Sequence, residues 1–174
     1  MLAVIIVINM VPYLTDSLFP STYIGIVEKN AEEYEVDKSL IMAIIKAESN
    51  FKRDAVSKKD AKGLMQVMDE TALWCAKEMG TEKPDLLNAK CNIEVGTFYF
   101  SYLLKKYNGN ERNAIAAYNA GHGNVDKWLS DKNYSADGEN LDNIPFEETE
   151  KYVKKVSIYK KIYSYKDKKD QVKR

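Results

Sequence analysis

The stretch Ser39–Ala55, "SLIMAIIKAESNFKRDA", combines an apolar helical pattern with one ionisable side chain at its end. In an α-helix, residues three, four and seven positions apart share one face. Ile41, Ile44 and Ile45 therefore lie on the same side as Glu48. Apolar neighbours reduce the hydration of a carboxylate, and the C-terminal end of a helix disfavours negative charge, so both effects raise its pKa. We expect Glu48 to be a carboxyl that stays neutral near pH 7, as general-acid catalysis requires.

The helix that carries Glu48 is also consistent with a second interpretation. Asp37 is a good N-cap and predicts a helix from Lys38 to about Ser49. A carboxylate in the last turn of this helix can point into solvent and pair with Lys52, without any role in catalysis. This helix alone does not decide between a functional acid and a solvent-exposed charge.

Helical patterns account for most of the remaining chain. Apolar spacing, caps and terminating glycines predict further helices within residues 21–35, 69–80, 92–107, 110–121 and 146–165. Asp69 and Gly80 are the expected caps of the second of these, and Gly121 and Gly123 are expected to break the fourth. Two polar segments are predicted loops, 51–63 and 131–145. No pair of strands is convincing, so the predicted fold class is all-α.

Length and composition restrict the function classes. A chain of 174 residues, 45% hydrophobic and 30% charged, suits one domain with a sizeable core. Lys+Arg and Asp+Glu are equal at 26 each, and this zero net charge argues against a nucleic-acid partner. One histidine, His122, and two cysteines are too few for a typical zinc site, and no calcium-loop pattern is present. We therefore expect neither a metal nor a cofactor.

The two cysteines, Cys75 and Cys91, leave their redox state open. They form one disulfide if the chain is exported, or remain as two buried free thiols. A nucleophilic pair of one cysteine with His122 has no supporting local signature.

The N-terminus, "MLAVIIVINMVPYL", is apolar almost throughout and carries no charge before Asp16. It is shorter than the roughly 20 residues that span a bilayer, and it lacks the basic start of a signal peptide. We interpret it as a remnant or degenerate form of an export or anchor sequence; the alternatives are a signal with a poor basic region and an extra packed segment. The predicted division is an N-terminal segment 1–20, a domain 21–165 and a charged, disordered tail 166–174.

Two further motifs follow the Glu48 helix. "GLMQ" places Gly63 and Gln66 before a helix start, where glycine permits positive φ and glutamine both donates and accepts hydrogen bonds. "AYNAG" ends a helix of small residues with Tyr118 and Asn119, so a backbone can pass close to a ligand there. Each motif alone is also typical of ordinary packing.

In this order, Glu-Ser-Asn-Phe, Gly-Leu-Met-Gln and Ala-Tyr-Asn-Ala-Gly closely resemble the soluble, SLT-type lytic transglycosylases, whose catalytic domain is goose-lysozyme-like. The resemblance covers roughly Tyr23 to Tyr163. It implies a lysozyme-like helical domain with a glycan-binding cleft. It also implies cleavage of the β-1,4 bond between N-acetylmuramic acid and N-acetylglucosamine in peptidoglycan, with formation of a 1,6-anhydromuramic end.

The resemblance assigns roles to individual positions. Glu48 matches the single catalytic acid/base of the family, and Asp54 and Asp60 in the following loop are expected to be solvated charges. The positions that match substrate-binding residues are Ser57, Gly63, Gln66, Met68, Tyr118, Asn119, Glu148 and Tyr152. Among them, the Tyr118 hydroxyl is expected near the catalytic carboxyl. Asp69 departs from the pattern, because the family often has proline there.

The expected partner is therefore the peptidoglycan glycan strand, bound by a monomer in the cell envelope, outside the cytoplasmic membrane, with membrane anchoring through the N-terminal segment as an option. Two alternatives remain. A goose-type lysozyme would use the same fold and admit water to C1 of the sugar. A catalytically silent wall-binding or scaffold domain would keep the fold without the reaction, and the intact Glu48 argues against it.

Overall fold

The computed structural model describes residues 17–171, apart from the side chain of Asp170, and this part of the chain is helical with no sheet. Its helices are α1 (Ile24–Glu33), α2 (Lys38–Glu48), α3 (Asp69–Met79), α4 (Ala89–Lys106), α5 (Glu111–Ala120), α6 (His122–Leu129) and α7 (Glu147–Gln171). Two isolated bridges, Val56 to Lys62 and Lys62 to Val67, are the only extended pairing in the described residues. The predicted all-α class is confirmed.

Helix α2 lies at the centre of the fold. The Asp37 side chain accepts a hydrogen bond from the N–H of Ser39, as predicted for its N-cap. Every residue from Ser39 to Ile45 is buried, and α2 packs most extensively against α7. After this buried run, the last turn of α2, which carries Glu48, is partly exposed. The apolar run therefore places the end of the helix at the boundary between core and surface.

The chain turns at Gly121 and continues as a helix. Gly121 has a φ of 84°, and α6 begins at the next residue, so the predicted break at this position is confirmed. The break at Gly123 is wrong, because Gly123 lies inside α6. The helix forms because Val125 and Trp128 are buried against the core, and this packing outweighs the low helix propensity of one glycine.

The cap of α3 also differs from the sequence prediction. Gly80, with φ of 66°, ends α3 as expected. Asp69, the expected N-cap, is instead the first helical residue, and Met68 occupies the cap position without a side-chain hydrogen bond. The Asp69 carboxylate accepts a 2.7 Å hydrogen bond from Lys62, which draws it away from the helix N–H groups.

Helix α7 continues beyond the predicted domain limit. Residues 166–171 are helical, so the prediction of a disordered tail from 166 is wrong for these positions. Asp167 forms a 2.5 Å ion pair with Lys38, and Lys166 donates to the carbonyl of Phe19. These contacts tie the end of α7 to the start of α2 and to Phe19, near the start of the described chain, and explain why a highly charged segment is ordered.

The predicted N-terminal segment, 1–20, lies outside the described residues as far as position 16. Within residues 17–171, no helix combines the length and the apolar character needed to cross a bilayer. Cys75 and Cys91 are free thiols, and burial raises the pKa of Cys75 to about 12. Of the two states left open by the sequence, the structure has the free thiols.

Candidate active site

Glu48 stands where the backbone leaves α2. Asn50 and Phe51 follow with φ of 52° and 64°, so the chain turns sharply instead of continuing the helix. The predicted apolar neighbours of Glu48 at positions 41, 44 and 45 are fully buried. This arrangement places the carboxyl at the end of the apolar face of α2, with one side toward the core and the other toward a cleft.

The Glu48 carboxyl is held in a state suited to proton transfer. Burial raises its pKa from 4.5 to about 7, although the Tyr152 hydroxyl and Lys155 lower it and Glu148 raises it further. Tyr152 Oη donates a 2.7 Å hydrogen bond to Glu48 Oε1. Burial also raises the pKa of Tyr152 well above 10, so this hydroxyl keeps its proton and remains a donor. The alternative of an outward-pointing Glu48 paired with Lys52 does not describe this side chain.

The loop from Ala55 to Gln66 forms one wall of the cleft. Gly63 N–H donates to the Ala55 carbonyl at 2.8 Å. The Gln66 Nε2 amide donates to the carbonyls of Ala55 and Gly63, at 3.0 and 2.9 Å. Gln66 also has φ of 50°, an uncommon backbone conformation for a residue with a side chain. Its amide therefore stabilises the loop at the position where we expected a sugar contact.

Gly63 is a buried residue of this loop and does not line the cleft. A Cβ added to it would lie 2.3 Å from both Asn92 Nδ2 and the Leu86 carbonyl oxygen, and its φ is +76°. Both observations require glycine. Gly63 thus shapes the loop by letting the backbone approach α4 closely.

Asn92 is an important residue that the motifs did not single out. It is fully buried in α4. Its Oδ1 accepts from the N–H of Met65 at 2.8 Å, and its Nδ2 donates to the carbonyls of Lys62 and Leu86 at 2.8 and 2.9 Å. One side chain therefore holds the Gly-Leu-Met-Gln turn against α4. The available signal was a polar residue on the apolar face of a predicted helix.

The Ala-Tyr-Asn-Ala-Gly motif forms the opposite wall. Tyr118 Oη donates to the Met65 carbonyl at 2.9 Å, which connects α5 to the loop. The negative charge of Glu48 contributes to the raised pKa of Tyr118, as expected for a hydroxyl near the acid, although burial is the larger cause. Thr149 Oγ1 donates to Asn119 Oδ1 at 2.7 Å and links this wall to the start of α7.

A cleft of about 510 Å³ brings most of the predicted residues together. The predicted residues that line it are Glu48, Ser57, Gln66, Met68, Tyr118, Asn119 and Glu148. Tyr152 does not line it and contacts Glu48 from behind. The cleft is also lined by Ala120 and Gly121 of the Ala-Tyr-Asn-Ala-Gly motif, which had no predicted site role, and by residues outside the motifs: Lys58, Lys59, Ala61, Val67, Thr71 and Tyr99. A groove with one half-buried acid and flanking polar groups suits an extended, hydroxyl-rich ligand.

Comparisons with known proteins identify the family of this chain. Residues 25–141 match the family model described as "Transglycosylase SLT domain". A soluble lytic murein transglycosylase of Escherichia coli K12 is 36% identical over 152 residues, which cover 84% of this chain and 24% of that protein. A membrane-bound lytic murein transglycosylase C of Yersinia pestis is 36% identical over 146 residues, which cover 72% of this chain and 41% of that protein.

Solved structures show the same fold. An inactive mutant of the lytic transglycosylase Slt from Pseudomonas aeruginosa superposes with a TM-score of 0.78 at 34% identity, covering 87% of this chain and 25% of that one. The 70 kDa soluble lytic transglycosylase in complex with bulgecin A gives a TM-score of 0.78 at 31% identity, with the same coverage. The chain thus spans about a quarter of the length of these structures. The predicted lysozyme-like domain is confirmed, and the chain belongs to the SLT transglycosylase domain family.

Proposed function

We propose that this protein is a peptidoglycan lytic transglycosylase that uses Glu48 as its single catalytic acid/base. The bond cleaved is the β-1,4 linkage between N-acetylmuramic acid and N-acetylglucosamine, and the new end is a 1,6-anhydromuramic residue. The observation that carries this proposal is a cleft-lining carboxyl whose pKa burial raises to about 7. Family membership supports the substrate class, because the relatives are named lytic murein transglycosylases.

In the first step, Glu48 acts as an acid. With a pKa of about 7, a substantial fraction of the carboxyl is protonated at neutral pH. It donates its proton to the glycosidic oxygen while the bond between that oxygen and C1 of the muramoyl residue breaks. The positive charge that develops at C1 is stabilised by the acetamido group of the same sugar. Tyr152 keeps the carboxyl oriented through its bond to Oε1.

In the second step, the resulting Glu48 carboxylate acts as a base. It takes the proton of the muramoyl 6-hydroxyl as O6 forms a bond to C1. The leaving sugar carries away the first proton and the acid is regenerated, so no water is consumed. The Tyr152 hydroxyl bond favours the charged form of Glu48 and stabilises it between the two steps.

The arrangement of other carboxylates favours this reaction over hydrolysis. Glycosidases that hydrolyse their substrate usually employ a second carboxylate. Asp54 is exposed outside the cleft lining, and Asp60 is exposed and pairs with Lys62 at 3.3 Å. Among the described lining residues, Glu148 is the other carboxylate, and it is exposed at the start of α7. A goose-type hydrolase that used a second carboxylate from the cleft lining would position its water with this residue.

We further propose that residues lining the cleft contact the glycan strand. Ser57, Met68, Asn119 and Glu148 line the groove beside Glu48 and are the proposed sugar contacts. Gln66 lines the cleft, and we propose that its amide oxygen accepts a hydrogen bond from the sugar while its nitrogen holds the loop. Because peptidoglycan lies outside the cytoplasmic membrane, we propose that the protein acts in the cell envelope as a monomer, with the apolar N-terminal segment serving export or anchoring.

Product analysis of digested peptidoglycan tests the proposed reaction. Purified sacculi treated with the protein should release muropeptides with anhydromuramic ends, which are lighter by one water than the corresponding reducing ends. Glu48→Gln should reduce release at least about a thousandfold, because it removes the proton donor and acceptor. Reducing ends in the products would identify a hydrolase. Equal release by wild type and Glu48→Gln would show that the assignment of Glu48 is wrong.

A further inference from the structure

A short turn at the rim of the cleft presents two lysines to the ligand. Lys58 and Lys59 follow Ser57, and both are exposed and line the same groove as Glu48. They are the basic side chains among the described lining residues. Their position is informative because a strand of N-acetylated sugars is uncharged and does not by itself require two cations in the cleft.

The turn holds these lysines in place. Ser57 Oγ accepts from the N–H of Lys59 at 3.2 Å and from the N–H of Ala61 at 3.0 Å. Ser57 N–H donates to the Ala61 carbonyl at 2.9 Å, and a bridge pairs Val56 with Lys62. Because the backbone is already ordered, binding a ligand here does not require the loop itself to lose conformational freedom.

In the described part of the chain, the two lysines share the groove with the carboxylates of Glu48 and Glu148 but form an ion pair with neither. The nearby carboxylates of Asp60 and Asp69 both pair with Lys62, at 3.3 and 2.7 Å. Neither Lys58 nor Lys59 forms an ion pair with a described residue, including Glu148 across the cleft. Two unpaired cations inside a binding groove favour an anionic group on the ligand.

Peptidoglycan carries such groups mainly on its peptides. The N-acetylated sugars are neutral, and the lactyl carboxyl of the muramoyl residue is consumed in the amide bond to the stem peptide. An anionic substituent on the muramoyl O6 would block the nucleophile of the reaction described above. The carboxylates that remain next to a cleavable linkage are those of the stem peptide.

We propose that Lys58 and Lys59 bind carboxylates of the stem peptide on a muramoyl residue in the cleft. The proposal rests on the proposed function for the identity of the strand. It makes the enzyme selective for strands whose stem carboxylates are free over strands whose stem carboxylates are amidated. Two exposed ion pairs correspond to a preference of about five- to tenfold.

Binding measurements without turnover test this selectivity. The Glu48→Gln form of the full chain is titrated into fluorescently labelled glycan strands at fixed ionic strength, and anisotropy gives the Kd. One strand preparation has free stem carboxylates and the other has amidated ones. We expect tighter binding of the free-carboxylate strands, by about five- to tenfold, and loss of this ratio when Lys58→Gln and Lys59→Gln are added. Lys58→Arg with Lys59→Arg should keep the ratio.

A matched control removes the same charge elsewhere. Lys29 and Lys77 are exposed, lie outside the cleft and form no described ion pair. Lys29→Gln with Lys77→Gln should retain the preference. The proposal is overturned if the parent binds both strands equally, or if the Lys58→Gln, Lys59→Gln form keeps the ratio. Because no bond is cleaved, this result is independent of the product analysis that tests the reaction.

Discussion

At the scale of single residues, the properties of Glu48 depend on the side chains that pack against its buried side. Periodicity in α2 correctly predicted the apolar face of Glu48, because three buried isoleucines lie seven, four and three positions before it. The same periodicity could not identify the hydroxyl donor. Tyr152 was expected as a sugar contact, but it lies behind Glu48 and outside the cleft lining. A partner on a distant helix leaves no trace in the local pattern, so only the three-dimensional arrangement assigns it.

The first residue-scale prediction concerns the pH dependence of the reaction. If Glu48 acts first as an acid, kcat/KM should fall as pH rises through about 7. The Tyr152 hydroxyl lowers the pKa of Glu48, so Tyr152→Phe should raise it. The alkaline limb should therefore move to higher pH by about one unit, and kcat should fall about tenfold because the carboxyl is less well oriented. A pH–rate profile measures both effects.

The matched control for this prediction is Tyr118→Phe. Tyr118 is also close to Glu48, but its hydroxyl donates to the Met65 carbonyl. Its removal should leave the alkaline limb in place. Two results would contradict the role given to Tyr152. In the first, the alkaline limb of Tyr152→Phe moves to lower pH. In the second, the alkaline limb moves by the same amount in Tyr152→Phe and Tyr118→Phe.

At the scale of elements, the cleft depends on the attachment of one loop to one helix. Gly63 and Gln66 were predicted as substrate-binding residues from their motif, but the contacts that the structure shows for them hold the loop together. Gly96 in α4 contributes to the same junction, since a Cβ there would lie 2.6 Å from Met65 Sδ. Asn92 lies four positions before Gly96 on the same face of α4. In the sequence, an asparagine on the apolar face of a predicted helix already indicated a buried polar contact. The sequence did not show which backbone groups it would satisfy.

The element-scale prediction is that Asn92→Ala weakens both fold and site. The change leaves the Met65 N–H and the carbonyls of Lys62 and Leu86 without their buried partner. We expect the free energy of unfolding to fall by about 2–5 kcal/mol, measured by urea denaturation. Muropeptide release, measured at a temperature where the variant is folded, should also fall.

Asn88→Ala provides the comparison within the same helix. Asn88 is exposed and caps α4 through the N–H groups of Lys90 and Cys91. Its loss should cost about 1 kcal/mol without affecting muropeptide release. Equal losses of activity in the two asparagine variants would argue against a specific role of Asn92 in the cleft.

At the scale of the whole molecule, local propensity was least informative where distant segments meet. The charged composition of residues 166–174 predicted disorder, yet ion pairing of Asp167 with Lys38 orders the helix as far as Gln171. Phe19 packs edge-to-face on Tyr159 and Tyr163, with ring centroids 5.3 and 5.6 Å apart. These contacts join the two ends of the described chain. They depend on the tertiary arrangement, so a local pattern could not reveal them.

The corresponding prediction concerns the length of the chain. Ending the protein after Tyr165 removes Lys166 and Asp167, whose contacts involve Phe19 and Lys38. The unfolding free energy should fall by about 1–2 kcal/mol, which lowers Tm by several degrees in a thermal melt. Muropeptide release at 25 °C should persist, because the cleft contacts only the first turns of α7. Ending the chain after Gln171 keeps these contacts and should leave Tm unchanged. An equal decrease of Tm in the two shortened chains would contradict the stabilising role of the Lys166 and Asp167 contacts.

The bond between Tyr152 and Glu48 has a consequence for the order of assembly. The two residues are 104 positions apart, and the burial of Glu48 depends on the packing of α2 against α7, the last helix of the chain. While the chain is being synthesised or is still unfolded, Glu48 is an ordinary hydrated glutamate, ionised at neutral pH and unable to donate a proton. Under the proposed function, Glu48 could therefore act as an acid only after α7 has docked against α2, so the proton donor is assembled only in the completed fold.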